Sequence, residues 1–339
     1  MSEVVDLSRM IREAKPADDV ASAGPDFVRG KPASEREPPK SKRAPLVTTT
    51  LEDFLARDLP PRPMLMSPIL PAAGLGMLFA PRGVGKTHVS LGIAYAVASG
   101  AGFLRWSVPE PRRVLFVDGE MPGQPLQERL ARIVASTDSR PPMADYLRII
   151  TPDLQPDPMP DLSSEEGQAA LAPFVEAADL VILDNLSTLC RGGRENEAES
   201  WLPVQEWALT LRRAGKSVLF IHHAGKGGQQ RGTSRREDVL DTVIALRRPD
   251  DYEPTQGARF EVHLEKARGV AGDEVQPFEA RLEVRGGQDL WTTMILEDAK
   301  IARVLDLHAD GLSVREIAEA VGMSKSTVAR MVKKGKADG

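Results

Sequence analysis

The chain has 339 residues, 41% of them hydrophobic, and 44 Lys and Arg stand against 49 Asp and Glu for a formal net charge of -5. Length and apolar content allow about two packed domains, while the acidic balance excludes a simple polycation that holds nucleic acid by overall charge; any DNA contact must come from a local patch or from loops facing a channel. A single cysteine, Cys190, excludes an intrachain disulfide and a cysteine-rich zinc site, and with neither an apolar run of about 18 residues nor a signal-peptide core at the N-terminus, the expected location is cytoplasmic, with no membrane partner.

Residues 1–47 mix charge with Pro, Ser and Ala, as in RGKPASEREPPKSKRAPL, and bury too little to offset ordering entropy, which predicts a disordered tether. A short capped helix and a proline stop are expected in TTTLEDFLARDLPPRP, opening a core domain over 48–296. Leu75 to Phe79 reads as a buried strand, APRGVGKT as a turn, and the spacing of Val89, Ile93 and Val97 as a helix. Further along come a strand at 113–118, a helix near 126–136, the proline-rich surface loop TPDLQPDPMPDLSSEEGQ and a helix around 169–177. DLVILDNL (179–186) is a third, buried strand, followed by a helix near 201–214 and the strand KSVLFIHH (216–223). Continuous apolar runs predict parallel strands covered on both faces by helices, an α/β fold. DTVIALRRP, ARFEVHLEKARG, FEARLEVRGG and DLWTTMIL look more alternating, which predicts antiparallel strands.

The turn after the first strand has the parts of a phosphate-binding loop. Small residues let backbone N–H groups wrap phosphates, a lysine reaches the β and γ phosphates, and a hydroxyl serves Mg²⁺. Pro81, Arg82, Gly83, Val84, Gly85, Lys86, Thr87 and His88 are the expected nucleotide contacts, at the positive end of the following helix. Ala80 stands where the G-x-x-x-x-G-K-[ST] pattern has its first glycine. The predicted ligands are therefore ATP and Mg²⁺.

Ligands of an open parallel sheet sit at the carboxyl ends of its strands. Asp184, closing LVILD, is placed to hold the metal opposite Thr87. Glu120, two residues past another strand, suits the base that orients the attacking water, with Asp118 as its local rival. His222 and His223 end VLFIHH, where a neutral imidazole can report the γ-phosphate. The glycine-rich, basic segment beyond them carries Lys226, Arg231, Arg235 and Arg236, which suit a phosphate backbone. Lys266 and Arg268, at the end of another strand, suit an arginine finger reaching a neighbouring subunit.

The last segment, 297–335, reads as three helices. Ile301 to His308 forms the first, Ser313 and Glu316 cap the second, Gly322 makes the turn, and Ser324 opens the third. Ile317, Ala318, Val321, Val328 and Met331 face inward. This small all-α helix-turn-helix domain, which looks like the tail of resolvase-type recombinases, would present Ser324, Lys325, Ser326, Thr327 and Arg330 to a major groove, with Lys333, Lys334 and Lys336 near phosphates.

In this order and spacing, APRGVGKT, VLFVDGEMP, LVILDNLSTL, VLFIHHAGKGG with RGTSRREDVLDTVIAL, and LEKARG resemble the RepA-like hexameric helicases within the RecA/DnaB-type ATPases, over roughly residues 50–295. The resemblance implies a RecA-like P-loop core assembled as a homo-oligomeric, hexameric ring with ATP at subunit interfaces. It implies Lys86 and Thr87 as loop ligands, Glu120 as catalytic glutamate, Asp184 as magnesium-site aspartate, His223 as phosphate sensor and Arg268 as finger, accompanied by Lys266. Arg235, Arg236 and Arg247 are alternative finger positions. The expected function is an ATP-driven DNA helicase replicating a plasmid, phage or integrated element, with single-stranded DNA in the ring, duplex at the C-terminal module, and a primase or initiator as partner. The alternatives are an ATP-switched DNA-binding regulator and a RecA-like recombination mediator.

Overall fold

The computed structural model describes residues 46–192, 198–224 and 238–335. Two units divide the chain, the first ending at Leu59 and the second running from Pro60 onward. In the first, Thr50 caps the short helix α1 (Leu51–Leu55), its side chain accepting the Asp53 N–H at 3.1 Å.

The second unit opens with a small antiparallel pair, β1 (Met64–Met66) and β2 (Leu70–Pro71). The main sheet then takes β3 (Leu75–Ala80), β4 (Val114–Asp118), β5 (Leu147–Ile150), β6 (Leu180–Asp184), β7 (Ser217–His223), β8 (Thr242–Arg247), β9 (Arg259–Ala267), β10 (Phe278–Arg285) and β11 (Gln288–Ile295). Its spatial order is β11-β10-β9-β8-β3-β7-β6-β4-β5. From β8 to β5 every neighbour is parallel, and β9, β10 and β11 extend the sheet antiparallel.

Between these strands lie α2 (Lys86–Ser99), α3 (Gly123–Ala135), α4 (Glu165–Glu176), α5 (Leu186–Leu189) and α6 (Ala198–Arg213). Side chains alternate across a strand, so a continuous apolar run feeds two cores. Leu78, Phe116, Ile182 and Ile221 join α2 and α3 on one face. Met77, Leu115, Val181 and Phe220 join α4, α5 and α6 on the other. The result is the α/β, RecA-like arrangement expected, with helices on both faces of a mostly parallel sheet.

β8 corrects one strand direction. DTVIALRRP was expected to be antiparallel, yet β8 pairs parallel with β3 and antiparallel only with β9. Thr242 to Leu246 are all buried, because β8 is an interior strand covered on both faces. β5 also joins the sheet at its edge, a short strand of half-buried residues that lacks the apolar run of its neighbours.

At the C-terminus, α7 (Leu296–Ala309) starts where β11 ends, and α8 (Val314–Ala320) and α9 (Lys325–Gly335) follow. Val304, Ile317, Ala318, Val328 and Val332 form a separate small core, with Val321 and Met331 packed against it. Ser313 and Glu316 make a reciprocal capping box at the start of α8. Gly322 takes φ 63° in the turn, a backbone conformation that suits glycine. Among the described residues no helix is long and apolar enough to cross a membrane.

Candidate nucleotide site

Register brings the polar strand ends together. Ala80 of β3 lies beside His223 of β7, and Asp118 of β4 beside Asp184 of β6. Because β3, β7, β6 and β4 are successive neighbours, the loop after β3 shares one sheet edge with these residues. A cavity of about 380 Å³ opens there. Arg82 to His88 line it together with Glu120, Asp184 and His223; Pro81 is not part of the wall, but its carbonyl accepts a hydrogen bond from Lys86.

The loop backbone explains its glycines. Gly83 and Gly85 adopt φ 77° and 131°, and a Cβ on Gly85 would meet the Phe260 ring at 2.9 Å. Ala80 carries no such demand. It is the last residue of β3, outside the left-handed backbone region, and its carbonyl accepts from Lys86 Nζ at 3.0 Å and from the Ala224 N–H at 2.9 Å, so the backbone there does not call for glycine.

Lys86 is buried, and burial pulls its pKa down to about 8, against the favourable charges of Asp184 and Glu120. Burial pushes the Asp184 carboxyl up to about 6, opposed by Ser90, whose hydroxyl lies 2.8 Å from Asp184 Oδ2. Thr87 and Asp184 present hard oxygen donors on one cavity wall, a donor set that fits Mg²⁺ shared with phosphates. Among the described residues no group of three or more His, Cys, Asp or Glu forms a self-sufficient metal cage.

Asp118 and Glu120 are told apart by their partners. Asp118 is buried and fully engaged, accepting the N–H groups of Glu120 and Met121 and the Thr151 hydroxyl at 3.0 Å. Glu120 keeps a half-exposed side chain, bonded by Asn185 Nδ2, with His223 Nε2 3.6 Å from Oε2. Burial, reinforced by Lys86, lowers the His223 pKa and keeps the ring neutral near pH 7. Its neighbour His222 falls on the opposite side of the strand, away from the cavity wall. His88 is held neutral too, pulled down to about 4 by burial and by Arg129 and Arg132.

Asn185, Arg129 and Ser90 were not singled out in the sequence. Asn185 follows Asp184 in the cavity wall and also caps α5 through Thr188, Arg129 projects from α3 into the cavity, and Ser90, one turn into α2, lies behind the wall against Asp184. Only the i+4 spacing of Lys86 and Ser90 on a helix signalled that they share a face.

Arg268 is not in this cavity. β9 runs antiparallel to β8, so Ala267 pairs with Thr242 at the end of the sheet opposite the loop, and Arg268 Nη2 donates to the Asp238 carbonyl at 2.7 Å. Arg247 pairs with Glu265 at 2.6 Å. Lys226, Arg231, Arg235, Arg236 and Lys336 lie outside the described residues, as does most of the N-terminal segment; the Lys334 side chain does as well.

In the C-terminal module, Ser324 lies at the head of α9, accepting the Thr327 N–H at 3.2 Å and contacting the Ser326 and Thr327 hydroxyls. Lys325, Ser326, Arg330 and Lys333 are exposed on one face, opposite buried Val328 and Val332.

A doubly covered parallel sheet, a lysine-bearing glycine turn at its strand ends and a separate helix-turn-helix define a RecA-like P-loop ATPase carrying a helix-turn-helix module. The chain belongs to the AAA domain family, whose match spans residues 37–229, more than half of its length. A homeodomain-like domain matches residues 296–339. Among solved structures, a KaiC-like protein from the archaeon Pyrococcus horikoshii aligns at 16% identity and TM-score 0.44, over 66% of this chain and 90% of that one.

Proposed function

We propose that this protein is an ATP-hydrolysing, ring-forming DNA motor, a RepA-like helicase that serves replication of a plasmid, phage or integrated element in the cytoplasm. The observation that carries the reading is Glu120, a half-exposed carboxylate at the rim of a lysine- and aspartate-lined cavity, gripped by Asn185 and faced by neutral His223. A carboxylate so placed can take a proton from water attacking the γ-phosphorus while the bond to the β–γ bridging oxygen breaks.

Lys86, moved off the Ala80 and Pro81 carbonyls, stabilises phosphate charge, and the N–H groups of Gly83 and Gly85 wrap the phosphates. Thr87 and Asp184 would hold Mg²⁺, which when bound neutralises charge on the β and γ phosphates. His223 faces Glu120 and closes β7, two residues before the stretch that carries Arg231, Arg235 and Arg236 begins, so in this reading it relays γ-phosphate loss along the chain toward those DNA-contacting residues. Single-stranded DNA in the ring, duplex at Ser324, Lys325, Ser326, Thr327 and Arg330, and a primase or initiator complete the expected partners. The domain division 48–296 and 297–335 belongs to the same reading.

Arg268, at the far sheet end, can serve only a neighbouring subunit's nucleotide, and this requires head-to-tail assembly, taken here as a hexameric ring. Subunit mixing tests it: Arg268→Ala and Lys86→Ala proteins, each inactive alone, should regain part of the hydrolysis when combined. Two inactive proteins that stay inactive together contradict the finger assignment.

A further inference from the structure

Cavity, charged clusters and module contacts converge on one segment that neither the sequence motifs nor the proposed chemistry uses, residues 248–257 between β8 and β9. At one end Arg248 Nη2 donates to the Gly83 carbonyl of the phosphate loop at 3.0 Å, and its guanidinium stacks on the Tyr252 ring at 3.9 Å. Tyr252 in turn donates its hydroxyl to the Gly257 carbonyl at 2.9 Å, and Gly257 and Ala258 form part of the nucleotide cavity wall.

At the other end stands Asp251. One oxygen lies 3.1 Å from Arg259, which also holds Glu279 of β10 at 2.8 Å, and the other lies 3.0 Å from Arg303 Nε of α7. Val321 and Met323 of the helix-turn-helix turn share a small cleft with Pro249 and Asp250. Glu253 and Gln256 close a reciprocal capping box, and Gln256 Oε1 also accepts from Arg259 at 3.0 Å, so the segment has little freedom of its own.

From this geometry we infer that Arg248 is a positioning residue for the phosphate loop and that Asp251, through Arg303, makes its position depend on the seating of the C-terminal module. The two contacts sit three residues apart on one braced segment. A shift of α7 that moves Asp251 also moves the donor on Gly83, and a loop rearranged around phosphates pulls back on α7 by the same linkage. The inference rests on the nucleotide reading of the cavity and deepens it by naming a regulator of that site, the helix-turn-helix module of the same chain.

The test is a double-mutant cycle read by binding of Mg-ADP to the full chain, using Arg248→Ala, Arg303→Ala and the combined variant. Arg303 is part-exposed and outside the small core of its module, so its truncation leaves the fold intact. Arg303→Ala should weaken ADP binding about threefold in the wild-type background, the scale of one part-exposed ion pair, and have no further effect when Arg248 is already alanine. Arg303→Lys should restore most of the affinity. Hydrogen exchange at residues 80–87 in the absence of nucleotide should rise in both single variants. Unchanged ADP affinity in Arg303→Ala, or effects that simply add, overturns the coupling while leaving the nucleotide site standing. Failure of the wild-type chain to bind Mg-ADP at all overturns both.

Discussion

Two carboxylates two residues apart, Asp118 and Glu120, face different work because their partners differ. Asp118 spends both oxygens on backbone N–H groups and on Thr151, and so shapes the turn that aims Glu120. Glu120→Gln keeps the shape and the Asn185 bond but cannot take a proton, so hydrolysis should fall by about 10²- to 10⁴-fold while nucleotide binding persists. Full turnover in that variant would move the base elsewhere. Lys86→Ala removes the cation from the phosphates and should abolish turnover. The sequence singled out Lys86 and Thr87 by the glycine pattern of the loop, Asp184 and His223 because each closes an apolar run, and Glu120 two residues past one, and the structure brings all five to one cavity. Arg129 and Asn185 were not legible there, since one enters the cavity from a helix wall and the other looks like an ordinary polar turn residue.

Among the elements, β8 shows how a strand's neighbours decide its character. Its sequence does not announce a parallel strand, but its place between β3 and β9 buries Thr242 to Leu246, and the residue before it, Asp241, pins its start. Asp241 accepts the Leu75 N–H at 2.9 Å and faces Arg62 and Arg212. Burial pushes its pKa up, but that hydrogen bond and the two arginines outweigh the push and hold it below the usual carboxylate range. Its stabilisation is therefore complete above the unfolded value of about 3.9 and is lost as pH falls through the folded value. Asp241→Asn should cost about 1–3 kcal/mol at neutral pH, and thermal unfolding should show the gap from wild type narrowing in acid; a gap independent of pH would contradict the ionic role. The caps and turn of the helix-turn-helix, by contrast, were readable because Ser313, Glu316, Gly322 and the apolar spacing are local signals, although α7 starts at Leu296, directly after β11, rather than at Ile301. Lys325→Ala with Arg330→Ala should weaken duplex binding and flatten its salt dependence without altering basal turnover. An unchanged salt slope would take α9 off the DNA.

At the scale of the whole molecule, the nucleotide cavity and Arg268 lie at opposite ends of one sheet, an arrangement that serves catalysis only if subunits repeat head to tail. The sequence suggested Arg268 as a finger from its place at a strand end, but which end of the sheet it occupies was invisible there, because only the direction of β9 gives its address. In the proposed reading the C-terminal module supplies a second DNA contact, whose affinity a ring would multiply through avidity. If ATP turnover drives movement on single-stranded DNA, steady-state hydrolysis measured alone, with single-stranded DNA and with duplex, against Lys86→Ala as the blank, should be strongly stimulated by single strands. Slow turnover indifferent to any DNA would contradict the motor and leave an ATP-switched duplex-binding regulator in its place.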